Sequence, residues 1–199
     1  MSEQNKILSL AQVDDLARRA LGACGAHGKQ LDLAVQSVVD AECDGIRTVG
    51  LGYLPLYCGH LQVGKINRDA QPIHAQVAPS ALRSLADSGF AHAAFAEAEA
   101  DFFALAHAQG IAALSIVDSY SAGVVGWFVQ RMASAGLIGL GFANSPSAVA
   151  PAPGASPFFG TNPMAFASPR SGADPLIADM ATSQVALVTI KKAAAEGKA

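Results

Sequence analysis

Residues 91–117 read AHAAFAEAEADFFALAHAQGIAALSIV, and this stretch decides the fold class. Its alanine-rich part, residues 91–109, predicts a helix, and the apolar run at residues 111–117 predicts a buried strand. The same alternation follows, because residues 126–135 are amphipathic and residues 137–142 form a second apolar run. Helix, strand, helix and strand in this order predict an α/β layer.

The beginning of the chain predicts a pair of helices. Ser9 and Gln12 have the spacing of a capping box, and apolar residues then recur with helical period up to residue 21. A second stretch with this period covers residues 31–43. Residues 45–79 contain several glycines and prolines without a sustained period, which predicts a loop or irregular layer where functional groups can sit.

The end of the chain begins with a long loop. Residues 145–163 are rich in proline and glycine, and a loop of this length is more often functional than a simple connection. Residues 164–167 and 176–178 predict strands, and a helix is predicted from about Ser183. The chain stops inside that helical pattern, so we expect an incomplete domain whose C-terminal part is absent.

Composition restricts the functional classes. With 51% hydrophobic and 15% charged residues and a formal net charge of −3, the chain predicts a globular protein without the basic stripe that nucleic acids require. We expect no nucleic-acid partner. The first residues, MSEQNKILSL, lack the features of a signal peptide, and no apolar run approaches the roughly 20 residues that span a bilayer. We therefore expect no membrane partner and a cytoplasmic protein.

Cysteines and histidines argue against structural metal and disulfide sites. An odd number of cysteines without CxxC spacing predicts reduced, buried thiols. No metal is predicted, because the histidines are not clustered. These residues are Cys24, Cys43, Cys58, His27, His60, His74, His92 and His107.

Glycine patterns of nucleotide sites are present but incomplete. Residues 59–65 match the glycine and lysine spacing of a phosphate-binding loop, yet Ile66 stands where a magnesium-binding hydroxyl belongs, and Pro55 precedes it in the expected strand. The pair Gly139 and Gly141 lies within a predicted strand, and Asn144 replaces the third glycine of a dinucleotide fingerprint. A Rossmann site is therefore not predicted.

Two short segments leave alternatives open. Asp179-Met180-Ala181-Thr182-Ser183 places a carboxylate and two hydroxyls at a predicted strand-to-helix junction, which indicates either an ordinary N-cap or a contact with an anion or cofactor. Gly160-Thr161-Asn162-Pro163 is typical of either a turn or a backbone cradle.

Ordered segments of the chain resemble the malate/L-lactate dehydrogenase family. The branch that oxidises (R)-3-sulfolactate resembles this chain most closely, through residues 44–58 and the Ser119-Tyr120 pair. The resemblance implies a mixed α/β fold that is not a Rossmann fold, NAD or NADP as cofactor, a 2-hydroxy or 2-oxo acid substrate and a homodimer. It divides the chain into a helical, substrate-side segment at residues 1–80 and a cofactor-binding domain at residues 81–199. The segments, in order, are residues 44–57 with 64–67, 110–117, 136–139 with 144–145, 149–151, 160–163 and 179–183.

The resemblance also indicates which residues match the family's proton-transfer residues. Hydride transfer to a 2-oxo acid requires a proton at the substrate oxygen, most often from histidine. The family has a Ser-His-Gly run followed by an arginine, and the matching residues here are Thr48-Val49-Gly50 and Tyr53. Valine cannot transfer a proton. Three accounts remain, namely a catalytically dead homologue, a substitute acid such as Tyr53, or an altered coding sequence.

The remaining site residues follow from the same resemblance. Thr161 and Asn162 are implied on the substrate side of the pocket. Arg47 has two interpretations, an attractor for an acidic or sulfonated substrate or a solvated surface arginine. The residues implied along the cofactor are Ser121, Val125, Ser145, Gly160, Asp179, Met180 and Ala181.

Overall fold

The computed structural model describes residues 7–152, 154–184, 189–190, 193 and 197. The chain divides into two compact units, unit 1 up to Ser121 and unit 2 from Ala122 onwards. The boundary that we expect at residue 80 separates a substrate-side segment from a cofactor-binding domain, and it stays a prediction. The helix predicted from about Ser183 lies largely outside the described residues.

Four α-helices build the helical part of unit 1. They are α1 (Leu10–Ala23), α2 (Gly28–Cys43), α3 (Leu54–Gln62) and α4 (Ala91–Gln109), and a 3₁₀ turn (Leu51–Tyr53) leads into α3. The predicted capping box begins α1, where Ser9 accepts from the Gln12 amide and Gln12 reaches back to the Ser9 amide. The helical pair is thus confirmed. Its core contains Val13, Leu21, Val35, Val38, Leu54, Tyr57, Leu61 and Phe90.

Helix α3 corrects the expectation that residues 45–79 are irregular. Pro55 lies in its first turn, where a missing amide hydrogen costs nothing because that amide has no partner within the helix. Leu54, Tyr57 and Leu61 then recur at helical spacing and are all buried. Residues 59–65 belong to this helix and its closing turn, so they do not form a phosphate-binding loop.

A small three-stranded sheet, sheet A, completes unit 1. Strand β1 (Ile73–Ala78) pairs antiparallel with β2 (Ala81–Leu85), and β2 pairs parallel with β3 (Ala113–Val117) after the crossover through α4. Leu82 and Ser84 face α4 and are buried. The sequence predicts β3 and α4 correctly, but β1 and β2 lie in stretches for which no strand is predicted.

Unit 2 packs one helix on an antiparallel sheet, sheet B. Helix α5 (Gly126–Ser134) covers strands β4 (Gly139–Phe142), β5 (Met164–Arg170) and β6 (Ala173–Met180). The two glycines of β4 allow this close approach, since a Cβ on Gly139 would lie 2.9 Å from Met132 Sδ and one on Gly141 would lie 2.9 Å from Val125 Cγ1. The Gly139 and Gly141 pair therefore serves helix-to-sheet packing.

The α/β class is confirmed, but the single predicted layer is wrong. Strands β3 and β4 follow each other along the chain, yet β3 belongs to sheet A and β4 to sheet B. Between β4 and β5, the described residues form the predicted long loop, in which one isolated bridge joins Val149 and Phe159.

Two further observations concern composition. No helix in the described part of the chain has the length and apolarity needed to cross a membrane. Cys24, Cys43 and Cys58 are free thiols, but the prediction that they are buried is wrong: Cys43 is exposed and the other two are partly exposed.

Candidate functional site

The turn that follows α2 carries the residues matched to the family's proton-transfer run. Arg47 and Thr48 are exposed, and Val49 is half-buried. The amides of Val49 and Gly50 both donate to the Ile46 carbonyl, at 3.0 and 3.1 Å. The turn is thus a fixed backbone structure, and position 49 has no proton to transfer.

Glu42, on α2, anchors this turn. Its Oε1 accepts a hydrogen bond of 2.8 Å from the Leu51 amide. Gly50 lies directly against the same carboxylate, since a Cβ added there would lie 2.9 Å from Glu42 Cδ. A side chain at position 50 would therefore displace the Glu42 carboxylate from its present place. No local sequence pattern links Glu42 to Gly50 or Leu51.

Aromatic side chains form a connected group on α3 and its surroundings, which we call the aromatic cluster: Tyr53, Tyr57, His60, Phe90 and Tyr120. Tyr57 makes edge-on contacts with Tyr53, Phe90 and Tyr120, at ring-centroid distances of 5.5, 5.3 and 5.8 Å. His60 Nδ1 lies 2.6 Å from the hydroxyl oxygen of Tyr120, a hydrogen bond in which either group can donate. The cluster brings the predicted site residue Tyr53 to an imidazole and two further phenols.

Burial keeps these phenols protonated. It raises the pKa of Tyr53 and of the fully buried Tyr57 above the ordinary value for tyrosine. It also raises the pKa of Tyr120 to about 12, with a smaller contribution from repulsion by Tyr53. A phenol with a raised pKa keeps its hydrogen and is a poor base. Tyr53 can therefore act as a hydrogen-bond donor, but the shift disfavours it as a base.

In unit 2, residues from three segments interlock at one edge of sheet B. The Ser145 hydroxyl accepts from the Thr161 amide at 2.7 Å and from the Asn162 amide at 3.3 Å. It also lies 3.0 Å from the Thr161 hydroxyl, and the Ser145 amide donates to the Asn162 side chain at 3.1 Å. The Thr182 amide and hydroxyl both donate to the Thr161 carbonyl. We call Ser145, Gly160, Thr161, Asn162 and Thr182 the Ser145 cluster.

The segment at Gly160 is closely packed against Ser145, and its role as a backbone cradle stays a prediction. A Cβ on Gly160 would overlap the Ser145 carbonyl oxygen and the Asn162 side chain, and it would lie 2.7 Å from Ser145 Oγ. Asn162 has a φ of 33°, in the left-handed region that asparagine tolerates better than most residues. Thr161 is buried, with 3% of its surface exposed. These constraints hold residues 160–162 in one backbone conformation.

Asp179 belongs to the same edge of sheet B. One of its carboxylate oxygens accepts a hydrogen bond of 2.7 Å from the Gly126 amide, at the beginning of α5. A carboxylate at this position satisfies an amide that has no partner within its helix and complements the helix dipole. Residues 179–183 allowed two interpretations, an N-cap or a contact with an anion or cofactor. The structure shows an N-cap interaction of Asp179, and the capped helix is α5. Met180 is exposed beside it.

The structure brings together most of the predicted unit 2 residues, and their side chains are of different chemical kinds. Ser145, Gly160, Thr161, Asn162, Asp179, Met180 and Ala181 meet because β4 ends, β5 begins and β6 ends at the same edge of sheet B. Val125 is buried in the core of unit 2, so only its backbone is available to a ligand. Ser121, Arg47, Thr48, Val49 and Tyr53 lie in unit 1.

The sequence predicted Tyr53 but missed its neighbours Tyr57, His60 and Tyr120. A signal for the first two exists, since Tyr53, Tyr57 and His60 are spaced by four and three residues and therefore share one helical face. The glycines and prolines of residues 45–79 obscure this spacing.

Comparison with known proteins identifies relatives along nearly the whole chain. A family model described as malate/L-lactate dehydrogenase matches residues 8–199. A (2R)-3-sulfolactate dehydrogenase (NADP(+)) of Chromohalobacter salexigens is 40% identical over 182 residues, which are 92% of this chain and 54% of that protein. A Δ1-pyrroline-2-carboxylate/Δ1-piperideine-2-carboxylate reductase of Pseudomonas syringae pv. tomato is 32% identical over 98% of this chain and 57% of that protein.

The solved structures agree with the fold. The crystal structure of Δ1-piperideine-2-carboxylate reductase from Pseudomonas syringae superimposes with a TM-score of 0.89 at 33% identity, covering 98% of this chain and 58% of that chain. The chain thus spans a little over half the length of the relatives that it matches.

Proposed function

Because the chain belongs to the malate/L-lactate dehydrogenase family, we propose that it serves an NAD(P)-dependent oxidoreductase that interconverts a 2-hydroxy acid and its 2-oxo acid. The observation that carries the proposal is the interlocked edge of sheet B, where the Ser145 cluster and Asp179 fix the backbone of residues 160–162 and the beginning of α5. We favour (R)-3-sulfolactate as the hydroxy acid. The identity of 40% with a sulfolactate dehydrogenase supports this substrate.

The donor and acceptor groups at the edge of sheet B suit a nicotinamide dinucleotide. Asp179 is an exposed carboxylate that α5 holds in place, and carboxylates accept hydrogen bonds from ribose hydroxyls. Met180, with 55% of its surface exposed, offers an apolar surface to a planar ring. Ser145, Gly160, Met180 and Ala181 would line the cofactor together with Asp179, Ser121 and the Val125 backbone. The bound cofactor would supply or accept the hydride.

The substrate side of the proposal rests on charge. A 3-sulfolactate ion carries a carboxylate and a sulfonate, and the guanidinium of arginine binds such anions through paired hydrogen bonds. Arg47 is exposed and is therefore available as an attractor. Thr161 and Asn162 would shape the pocket, with a backbone that Ser145 holds.

A cyclic-imine reductase is a neighbouring candidate, since a Δ1-pyrroline-2-carboxylate/Δ1-piperideine-2-carboxylate reductase also matches almost the whole chain. The two candidates differ in the substrate bond, C=O against C=N. Rates with sulfopyruvate, oxaloacetate, pyruvate and Δ1-piperideine-2-carboxylate separate them. We expect the highest kcat/KM with sulfopyruvate. A higher kcat/KM with the imine would favour the cyclic-imine reductase instead.

A catalytically impaired homologue is the alternative that Val49 favours. In that case the chain would bind the reduced cofactor but turn over slowly, and Val49→His with Thr48→Ser would raise kcat by a large part of the roughly 100- to 10,000-fold that acid-base catalysis supplies. An unchanged kcat with intact cofactor binding would contradict this alternative.

Cofactor binding is the primary test. Trp127 is the only tryptophan and follows Gly126, the partner of Asp179, so its fluorescence reports on this region. We expect NADH or NADPH to quench it with saturation, and Asp179→Ala to weaken that binding. Absence of saturable binding of both would refute the proposal. A homodimer and a cytoplasmic location remain part of the proposal, and light scattering measures the first.

A further inference from the structure

The reaction proposed above needs a proton donor, and the histidines differ in whether they can provide one. His92 is fully buried in unit 1. His27 and His74 bind the carboxylates of Asp69 and Asp101, at 2.8 and 2.9 Å. His60 is half-buried and is hydrogen-bonded to the phenol of Tyr120. Of these four histidines, His60 is the one bonded to a hydroxyl, a group that can donate one proton while it accepts another.

Tyr120 is linked to two residues of unit 1 that the resemblance implies in the site, Tyr53 and Ser121. Its ring contacts Tyr57, which contacts Tyr53, the residue at the family's arginine position. It also directly precedes Ser121, the first residue implied along the cofactor. Tyr120 is half-buried, whereas Tyr57 has only 1% of its surface exposed. Of the two phenols in contact with each other here, Tyr120 is thus the one that a ligand can reach.

We propose that the Tyr120 hydroxyl delivers the proton to the substrate oxygen and that His60 recharges it, in place of the histidine that Val49 replaces. This role rests on the proposed function. Tyr120 would be a catalytic residue, because its hydroxyl touches the reacting oxygen. His60 acts through Tyr120 and is a positioning and recharging residue.

The step balances in atoms and electrons. In the reduction, the bound cofactor would supply the hydride that the carbonyl carbon of the 2-oxo acid gains, and the C=O π pair would become a lone pair on oxygen. That oxygen takes the hydroxyl proton of Tyr120, and the O–H bond of Tyr120 breaks. The Tyr120 oxygen then takes the Nδ1 proton of the His60 imidazolium, and the neutral imidazole regains a proton from water.

Burial sets the protonation state of Tyr120. Burial raises the pKa of Tyr120 to about 12, so the phenol is protonated and ready to donate at neutral pH. A phenolate in this place is unfavourable, and a proton from His60 at 2.6 Å removes that charge as it forms.

Two variants and one matched control test the pair. Tyr120→Phe removes the hydroxyl but keeps the ring, and His60→Asn keeps a hydrogen-bonding nitrogen near Nδ1 but cannot carry the proton. Tyr57→Phe makes the same change as Tyr120→Phe on a buried ring of the same cluster. We expect Tyr120→Phe to lower kcat by about 100- to 10,000-fold, His60→Asn to lower kcat less, and the control to change it by less than about threefold. KM and cofactor affinity should stay within about twofold in all three.

A measurement without turnover tests the same pair. The ¹⁵N and ¹H signals of the His60 imidazole in the ligand-free protein should shift in Tyr120→Phe and stay unchanged in Tyr57→Phe. An unshifted His60 signal in Tyr120→Phe would overturn the pair itself. Turnover that survives Tyr120→Phe but not Tyr53→Phe would overturn the assignment in favour of Tyr53. If the wild-type protein binds neither NADH nor NADPH, the proposed function fails, and the catalytic role fails with it, although an NMR-detected pair would stand.

Discussion

The two units of the chain contain different chemical groups. All five histidines, all three tyrosines and all three cysteines lie in unit 1, and the sequence of unit 2 contains none of these residues. Proton transfer near neutral pH most often depends on histidine, with tyrosine and cysteine among the other donors. Unit 2 offers hydroxyls, amides and carboxylates, which bind and orient ligands. The two units therefore differ in the acid-base groups that they contain, since every imidazole, phenol and thiol of the chain belongs to unit 1.

The units also hold their predicted site residues in different ways. In unit 2, the Ser145 hydroxyl and the Thr182 side chain bind backbone groups of residues 161 and 162. In unit 1, Tyr53, Tyr57 and Tyr120 are held by ring packing. At the position that the resemblance assigns to proton transfer, valine lacks an acid-base group, whereas the hydrogen bonds around Ser145 do not involve that position. This difference explains how the cofactor-side segments can resemble the family while the proton-transfer run does not.

The largest expected effect concerns acid stability, and it sharpens the contrast between the units. Burial lowers the pKa of His92 from 6.5 to about 3. Between these values the unfolded chain binds a proton that the folded chain does not, so the free energy of unfolding falls as the pH is lowered from 6.5 towards 3. At about 1.4 kcal/mol per pH unit, this amounts to about 3 kcal/mol at pH 4.

Urea unfolding of the wild type and His92→Gln at pH 7 and pH 4 measures this contribution. The variant can be less stable at pH 7, because glutamine replaces a packed ring. The difference between the two proteins should nevertheless shift by about 3 kcal/mol in favour of the variant at pH 4. Parallel pH curves for the two proteins would show that His92 is not the source of acid sensitivity.

The second prediction tests the close packing of unit 2. In Gly160→Ala, the added Cβ meets the Ser145 carbonyl and the Asn162 side chain. We expect a loss of about 1–3 kcal/mol in the free energy of unfolding, together with weaker cofactor binding. Gly22→Ala in α1 is the matched control, since its Cβ meets nothing within 4 Å and should stabilise the helix by up to about 1 kcal/mol. Equal stability of Gly160→Ala and the wild type would mean that the turn is not closely packed.

The fold could be predicted where local periodicity decides it. Helices α1, α2 and α5 follow their apolar period, and the alanine-rich α4 has the bounds that the sequence predicts. Strand β1 was missed because its pattern is inverted. Ile73 and Val77 are 62% and 52% exposed, whereas His74 on the opposite face is paired with Asp101 of α4. Because hydrophobic residues normally mark the buried face, an inverted strand carries no usable signal.

Sheet membership and side-chain pairing need contacts that are distant in the sequence. Nothing local assigns β3 and β4 to different sheets. The edge of sheet B could be assembled from the sequence only through the resemblance to the family, which placed residues 160–162 and 179–181 in one site. His60 and Tyr120 are 60 positions apart, and no pattern in either segment links them. The family is confirmed, whereas the roles of individual site residues stay predictions.

The smallest expected effect concerns the Ser145 hydroxyl, which accepts hydrogen bonds at one end of the strands of sheet B. Ser145→Ala leaves the buried Thr161 amide and the Asn162 amide without the Oγ acceptor at 2.7 and 3.3 Å. We expect a loss of about 1–2 kcal/mol that does not change between pH 5 and pH 8, because no titrating group takes part. Ser147→Ala is the matched control, since this exposed serine donates only to the Phe158 carbonyl and its loss should cost less than about 0.5 kcal/mol. Thermal unfolding of both variants across this pH range measures the difference. A pH-dependent loss in Ser145→Ala would mean that a titratable group takes part in the hydrogen bonding around Ser145, which would contradict this prediction.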